Sequence, residues 1–121
     1  MASIRKPYGF IYLITNTKNN MKYVGATTKT ISIRKSEHIS RSKYSDYPIH
    51  KAIRTEGAEN FTFEILDIAY GIEEMKEKEN YYIKHFKDNN EQLYNRYKAG
   101  KVPVYAFKKA EEELFDIIIN C

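Results

Sequence analysis

The sequence predicts an α/β (α+β) fold in one small domain, in which strands and helices alternate. A length of 121 residues suits a single domain, and a hydrophobic fraction of 42% is sufficient for one core. Some segments place apolar residues at every second position, whereas others space them three and four apart. The first spacing is typical of strands and the second of amphipathic helices, so both are expected.

Two segments near the amino terminus predict a β-hairpin. Residues 8–15 are rich in aromatic and β-branched side chains, asparagines then mark a turn, and residues 21–25 resume an extended pattern. Tyr12 and Tyr23 are then expected to share one face of the hairpin. A further half-buried strand is predicted where apolar side chains alternate with polar ones, at Phe61, Phe63 and Ile65.

Residues 27–43 fit two structures. Alternating isoleucines fit a strand, whereas Arg34, His38 and Arg41 recur as on one face of a helix. The length and the charged content favour a helix. The next segment is a clearer helix, with Asp46 expected as its cap, Pro48 in its first turn and Gly57 at its end.

A third helix is predicted over residues 72–87, and its apolar stripe contains one acid. Glu79 lies one turn from Met75 and one turn from Ile83, so it faces the core. Burying an ionised carboxylate costs several kcal/mol unless a partner compensates it. The partner is either an internal Arg or Lys or a metal ion in a cleft, and periodicity leaves both open.

Basic charge is concentrated in the first half of the chain. Residues 1–60 hold 11 Lys and Arg against 4 Asp and Glu, whereas residues 61–121 hold 9 against 12. Such a segment is typical of a protein that binds a polyanion, most often nucleic acid, and equally of a solvated face. If the partner is a nucleic acid, the side chains predicted to contact its phosphates are Lys35, Arg41, Lys43 and Lys51.

Composition also excludes several classes of protein. No apolar run approaches the roughly 20 residues of a membrane span, so no membrane association is expected. The first ten residues lack the apolar core of a secretory signal. The lone cysteine, Cys121, excludes internal disulfides and cysteine-based metal sites. A cytoplasmic, reducing compartment is the resulting expectation.

Two tripeptides carry a family resemblance. Phe10-Ile11-Tyr12 and, eleven residues later, Tyr23-Val24-Gly25 resemble the paired signature of the GIY-YIG nucleases, with Phe10 in place of glycine and Val24 in place of isoleucine. Gly25 is expected to allow a tight turn at the end of the strand. Further matches follow in the family's order, at Arg34, His38, Glu79 and the asparagine of Leu93-Tyr94-Asn95. The likeness spans residues 8–98 and is greatest to homing-type enzymes of phages and bacteria.

The resemblance implies a three-stranded antiparallel sheet flanked by helices, and a helix over residues 27–43. It implies a metal-dependent endonuclease that hydrolyses phosphodiester bonds of double-stranded DNA, with Glu79 binding Mg²⁺ or Mn²⁺ and no organic cofactor. The residues it implies as catalytic are Tyr12, Tyr23, Arg34, His38, Glu79 and Asn95. His50 and His85 have no such context and are interpreted as ordinary residues.

The chemistry of these side chains is consistent with that reaction. A free phenol has a pKa of about 10, so Tyr12 or Tyr23 acts as a base only where nearby cations lower its pKa; otherwise it orients water. Arg34 supplies a permanent planar charge for phosphate oxygens. His38 can share a proton with either group. Asn95 is better suited to holding the scaffold than to chemistry.

Residues 1–98 are therefore predicted to form the nuclease domain, and residues 99–121 a carboxy-terminal extension. The extension is either a hairpin arm or a truncated DNA-binding module. Two alternatives remain from the sequence: a catalytically silent DNA-binding module with the same fold, and an assembly domain whose carboxy-terminal apolar arm docks on a partner. The sequence identifies no protein partner.

Overall fold

The computed structural model describes residues 6–95. Its strands are β1 (Gly9–Asn16), β2 (Lys22–Thr27) and β3 (Phe61–Ala69), and its helices are α1 (Ile31–Arg41), α2 (Pro48–Glu56) and α3 (Ile72–Asp88). The strands form one antiparallel sheet in the order β2-β1-β3. The predicted α/β fold and its three-stranded sheet are confirmed.

The β1–β2 hairpin places the two predicted tyrosines on one face. Tyr12 lies opposite Gly25 and Ile14 lies opposite Tyr23, so the two tyrosines are diagonal neighbours. Their ring centroids are 6.4 Å apart. The connection turns at Asn20, which adopts a positive φ of 65°. Asparagine tolerates this conformation better than most residues.

Each face of the sheet packs against different helices. One face contributes Ile11, Leu13 and Val24 to a core that is completed by Met75 and Ile83 of α3. The opposite face contributes the tyrosines, and these pack with apolar residues of α2 and β3: Ile49, Ala52, Ile53 and Phe61. Helix α1 lies on this second face, where its Arg34 and His38 are fully buried.

Residues 27–43 are helical only in part. Thr27 ends β2, and α1 begins at Ile31 after Thr30, whose side chain accepts a hydrogen bond from the backbone N–H of Ile33. Thr30 is therefore the cap of the helix. The helix ends at Arg41.

The expected cap of α2 is wrong. Tyr47, not Asp46, occupies the capping position, and its side chain does not form the capping hydrogen bond. Asp46 instead pairs with Arg54, with 3.2 Å between Oδ1 and Nη2. The ends of the helix are as predicted, because Pro48 begins it and Gly57 follows it with a φ of 94°.

The alternation predicted for the third strand fails at Ile65, which is 44% exposed. Ile11 pairs with Asp67 whereas Tyr12 pairs with Ile65, so Leu66 is an extra residue in β3. This β-bulge reverses the faces of the residues that follow it. Leu66 consequently packs against the α3 core.

None of the described helices is long and apolar enough to cross a bilayer. The predicted carboxy-terminal extension, residues 99–121, lies outside the described residues.

Candidate active site

Arg34 is the central charged group of the buried polar cluster. It projects from α1 beneath the sheet and is fully buried. Its Nε donates to Tyr12 Oη at 3.0 Å, and its Nη1 donates to Glu37 Oε1 at 3.0 Å. Burial opposes the charge, but Tyr12, Tyr23 and Glu37 outweigh it and raise the pKa of Arg34 above its ordinary value. The guanidinium is therefore permanently charged.

One nitrogen of this guanidinium has no hydrogen-bond partner. Nη2 of Arg34 is buried and unpaired. Leaving a buried donor unpaired costs about 1–3 kcal/mol, and more when the group is charged. The arrangement therefore suits an anionic acceptor, such as a phosphate oxygen, at this position.

Tyr12 begins a chain of hydrogen bonds that runs away from Arg34. Tyr12 Oη lies 2.7 Å from His38 Nε2, and His38 Nδ1 lies 2.9 Å from His50 Nε2. His50 Nδ1 in turn lies 2.7 Å from Ser45 Oγ. His50, interpreted from the sequence as an ordinary residue, is thus buried and in contact with the predicted catalytic histidine.

The position of His50 in the sequence could have predicted that its ring is buried and hydrogen-bonded. It is next to Ile49 and three residues before Ile53, on the buried face of α2. A polar ring on that face requires hydrogen-bond partners. The contact of Ser45 with His50 could not be predicted from the sequence, because Ser45 lies in the connection between α1 and α2, where no periodic pattern indicates which side chains are buried.

Both histidines are held neutral. Burial, aided by the positive charge of Arg34, lowers the pKa of His38 to about 2. The same two causes lower the pKa of His50 to about 4. Each ring therefore carries one N–H and one acceptor nitrogen at physiological pH.

Glu79 is buried as the periodicity predicted, with 6% of its surface exposed. Burial raises the pKa of its carboxyl from an ordinary 4.5 to about 8, and the field of Arg34 opposes this shift. The alternative of an internal ion pair is not what the structure shows, because no Arg or Lys among residues 6–95 pairs with Glu79. The carboxyl is close enough to Arg34 for electrostatic interaction without contact.

Glu79 has limited capacity as a metal site. Within residues 6–95 no group of three or more His, Cys, Asp or Glu side chains could surround a cation. One hard carboxylate fits Mg²⁺ or Mn²⁺ that keeps most of its waters, and it does not fit a metal that requires a cage of protein ligands. The residues present are thus compatible with the implied cofactor through Glu79 alone.

Tyr23 and Gly25 shape the tyrosine face. The Tyr23 ring lies 5.6 Å from the ring of His38, centroid to centroid, at a steep angle. A Cβ at Gly25 would overlap the Cζ and Oη atoms of Tyr12. Gly25 lies within β2 rather than at a turn, so the expected turning role is wrong. Its function is to leave room for the Tyr12 phenol.

Asn95 holds the outer edge of β2. Its Oδ1 accepts from the backbone N–H of Val24 at 3.0 Å, and its Nδ2 donates to the Val24 carbonyl at 2.8 Å. The side-chain amide therefore imitates a neighbouring strand. Lys22 and Leu93 continue this pairing as a short parallel bridge. The geometry agrees with a scaffold role for Asn95, because its partner Val24 is the middle residue of the Tyr23–Gly25 tripeptide.

Asn95→Ala is expected to lower stability by about 1–3 kcal/mol, because both polar groups of Val24 lose their partner. Urea unfolding of the variant and the wild type measures this difference. Gln92→Ala removes an exposed amide from the same segment and should change stability by less than about 0.5 kcal/mol. Equal effects of the two substitutions would contradict the scaffold role.

The lysines predicted to contact DNA lie at the surface, whereas Arg41 is close enough to His38 and His50 to help lower the pKa of both. Lys35, Lys43 and Lys51 are exposed, and Arg41 is half-buried. Lys35 also places its Nζ 5.4 Å from the Phe63 ring centroid. The structure therefore brings together Tyr12, Tyr23, Arg34 and His38, keeps Glu79 within electrostatic range, and leaves the lysines at the surface.

The site thus combines a buried arginine that is hydrogen-bonded to a tyrosine with a buried carboxyl in its electrostatic field, and it lies beside a three-stranded antiparallel sheet. The model of the GIY-YIG catalytic domain matches residues 8–95, and the chain belongs to the GIY-YIG family. The chain thus contains a GIY-YIG nuclease domain.

Two solved structures share this fold. The catalytic domain of the homing endonuclease I-TevI matches with a TM-score of 0.58 and 28% identity, covering 70% of this chain and 96% of that one. A single-residue mutant of the same intron endonuclease domain matches with a TM-score of 0.59 and 26% identity, covering 69% and 89%. No curated protein matches the chain.

Proposed function

We propose that the protein is a divalent-metal-dependent DNA endonuclease of the homing type, which hydrolyses phosphodiester bonds in double-stranded DNA. The observation that carries the proposal is the unpaired Nη2 of Arg34, a buried cationic donor beside Tyr12 and in the field of Glu79. Family membership supports a nuclease reaction, and the further details rest on the geometry of the site.

Arg34 is proposed to bind the scissile phosphate. A phosphate oxygen would satisfy Nη2, while the hydrogen bonds to Tyr12 and Glu37 keep the guanidinium plane fixed. A fixed donor stabilises the charge that develops in the transition state without reorganisation.

Tyr12 is proposed to orient the attacking water and to accept its proton. Its oxygen is held by Arg34 Nε and by His38 Nε2 at 3.0 and 2.7 Å. A base within hydrogen-bond reach of water contributes typically 10²–10⁴-fold to such a reaction. Tyr23 and His38 complete the enclosure of the phenol. Asn95 acts indirectly by fixing β2.

Glu79 is proposed to hold the metal ion. When bound, Mg²⁺ or Mn²⁺ would neutralise charge on the scissile phosphate and relieve the leaving oxygen. The raised pKa of Glu79 means that the chain must release a proton to bind the cation. Four basic residues of the first half would neutralise flanking phosphates of the duplex: the exposed Lys35, Lys43 and Lys51 and the half-buried Arg41.

The proposal is tested by incubating the protein with supercoiled and linear DNA in Mg²⁺, in Mn²⁺ and in excess chelator. Cleavage is expected with either metal and is expected to fall below detection in the chelator. Undiminished cleavage in the chelator would contradict metal dependence. Binding of DNA in a gel-shift assay without any cleavage would favour the catalytically silent module.

A further inference from the structure

The hydrogen-bond chain of Tyr12, His38, His50 and Ser45 connects the centre of the site to the protein surface. The first three of these side chains are fully buried, and Ser45 is half-buried in the connection between α1 and α2. Its neighbours Tyr44 and Asp46 are exposed. Each contact in the chain is between 2.7 and 2.9 Å, a normal hydrogen-bond length.

Two proton arrangements satisfy all three contacts. In the outward arrangement Tyr12 donates to His38, His38 Nδ1–H donates to His50, and His50 Nδ1–H donates to Ser45. In the inward arrangement every donor and acceptor is exchanged. A neutral imidazole has one donor and one acceptor nitrogen, so each arrangement leaves both rings neutral. Moving one proton across each contact converts the first arrangement into the second.

We propose that these four residues form a proton wire, which carries the proton of the attacking water from Tyr12 to solvent at Ser45. The inference rests on the proposed function, in which Tyr12 accepts that proton. His50 and Ser45 act through His38 and are positioning residues. The wire allows Tyr12 to accept a proton while releasing its own, so it need not be a phenolate beforehand.

Each transfer along the wire has a named donor and acceptor, so no proton is gained or lost. The water gives a proton to Tyr12 Oη, Tyr12 gives its proton to His38 Nε2, and His38 gives the Nδ1 proton to His50 Nε2. His50 gives its Nδ1 proton to Ser45 Oγ, and the Ser45 hydroxyl gives its proton to a solvent water. One proton leaves the nucleophile, one reaches solvent, and each side chain stays neutral. The reverse shift after product release, with Tyr12 giving its proton to water, resets the wire.

The surroundings favour passage through neutral rings. His38 faces Tyr12 from β1, Tyr23 from β2, Phe63 from β3 and His50 from α2, with Arg34 and Arg41 on its own helix. No acid is among these groups, and the two arginines disfavour a further positive charge on the ring. A concerted shift avoids an imidazolium at this position.

The test is cleavage by Ser45→Ala, Ser45→Thr and His50→Gln, with Ser36→Ala as the matched control. Ser36 is exposed on α1, and this variant should retain the wild-type rate. Ser45→Ala is expected to lower kcat about tenfold with unchanged KM, and Ser45→Thr to restore it within about threefold. His50→Gln can bond His38 but cannot relay a proton, so an approximately tenfold or larger loss is expected.

Two further readouts separate a proton wire from a structural role. In mixtures of H₂O and D₂O the wild-type rate should depend on deuterium content along a curve, because several protons move, whereas Ser45→Ala should give a straight line. Wild-type kinetics for Ser45→Ala, or equal losses for Ala and Thr, would overturn the wire. Circular dichroism and thermal melts confirm that each variant is folded.

A spectroscopic arm does not depend on cleavage. ¹⁵N chemical shifts of His38 and His50 should show two neutral rings near pH 7, with tautomer populations that change in Ser45→Ala and not in Ser36→Ala. An imidazolium at either position, or unchanged tautomers in Ser45→Ala, would overturn the wire. Failure of the wild type to cleave DNA, with these shifts as expected, would overturn the proposed function and leave the hydrogen-bonded chain intact.

Discussion

Glu79→Gln is expected to lower the rate of DNA cleavage by at least about 10³-fold, because the substitution removes the sole proposed carboxylate ligand while preserving volume. DNA binding should change by less than about threefold, since the surface lysines are untouched. Single-turnover cleavage of plasmid DNA and a gel-shift assay measure the two quantities. Glu77→Gln removes an exposed carboxylate two residues away on α3 and should retain the wild-type rate.

Glu79→Gln is also expected to stabilise the fold in alkaline solution. Folding raises the pKa of Glu79 from 4.5 to about 8, so the folded chain holds this proton more tightly than the unfolded chain. The resulting stability is fully present below pH 4.5 and is lost as the pH rises through 8. Glutamine does not titrate. The variant's gain over the wild type in urea unfolding should therefore be on the order of 2 kcal/mol larger at pH 9 than at pH 6.

An equal stability difference at pH 6 and pH 9 would show that the carboxyl of Glu79 is not titrating in a buried site. Glu77→Gln provides the reference, because it makes the same chemical change at an exposed position of the same helix. If both predictions hold, ionised Glu79 destabilises the metal-free fold, yet its replacement abolishes cleavage. Such a residue is retained for function rather than for stability.

Arg34→Lys is expected to lower the cleavage rate by at least about 10²-fold although the formal charge is kept. A guanidinium donates to Tyr12 and to Glu37 while a third nitrogen remains for phosphate, whereas an ammonium cannot reproduce that planar geometry. Burial would also lower the pKa of the lysine. Loss of one preorganised donor in an active site typically costs 10²–10³-fold.

Cleavage by Arg34→Lys is measured beside Lys84→Arg, which exchanges an exposed cation on α3 and should have the wild-type rate. Circular dichroism reports whether the variant is folded. A rate for Arg34→Lys within a factor of three of the wild type would show that charge alone suffices and would contradict a role for the fixed guanidinium plane.

Periodicity predicted the parts of the site that depend on local geometry. A period of two places Tyr12 and Tyr23 on one face of the hairpin, and the helical period places Glu79 between Met75 and Ile83. Both predictions hold because these faces are set by the backbone itself. The order of helices and strands was predictable for the same reason.

The remaining features depend on contacts between distant segments. The bulge at Leu66 follows from how β3 aligns with β1, which no local pattern records. His50 reaches His38 only because α2 packs against α1 on the tyrosine face. Asp46 pairs with Arg54 instead of capping α2, and the sequence pattern does not distinguish between these two nearby partners, the helix terminus and the arginine.

The central claim is that Glu79 binds a divalent cation beside Arg34, and paramagnetic NMR tests it most directly. The Arg34 Nε–H is buried and hydrogen-bonded to Tyr12, so its ¹⁵N-correlated signal should be observable. Titration with Mn²⁺ at pH 8 is expected to broaden this signal in the wild type and in Glu77→Gln and to leave it sharp in Glu79→Gln. Equal broadening in Glu79→Gln, or none in the wild type, would contradict the assignment of Glu79 as the metal ligand.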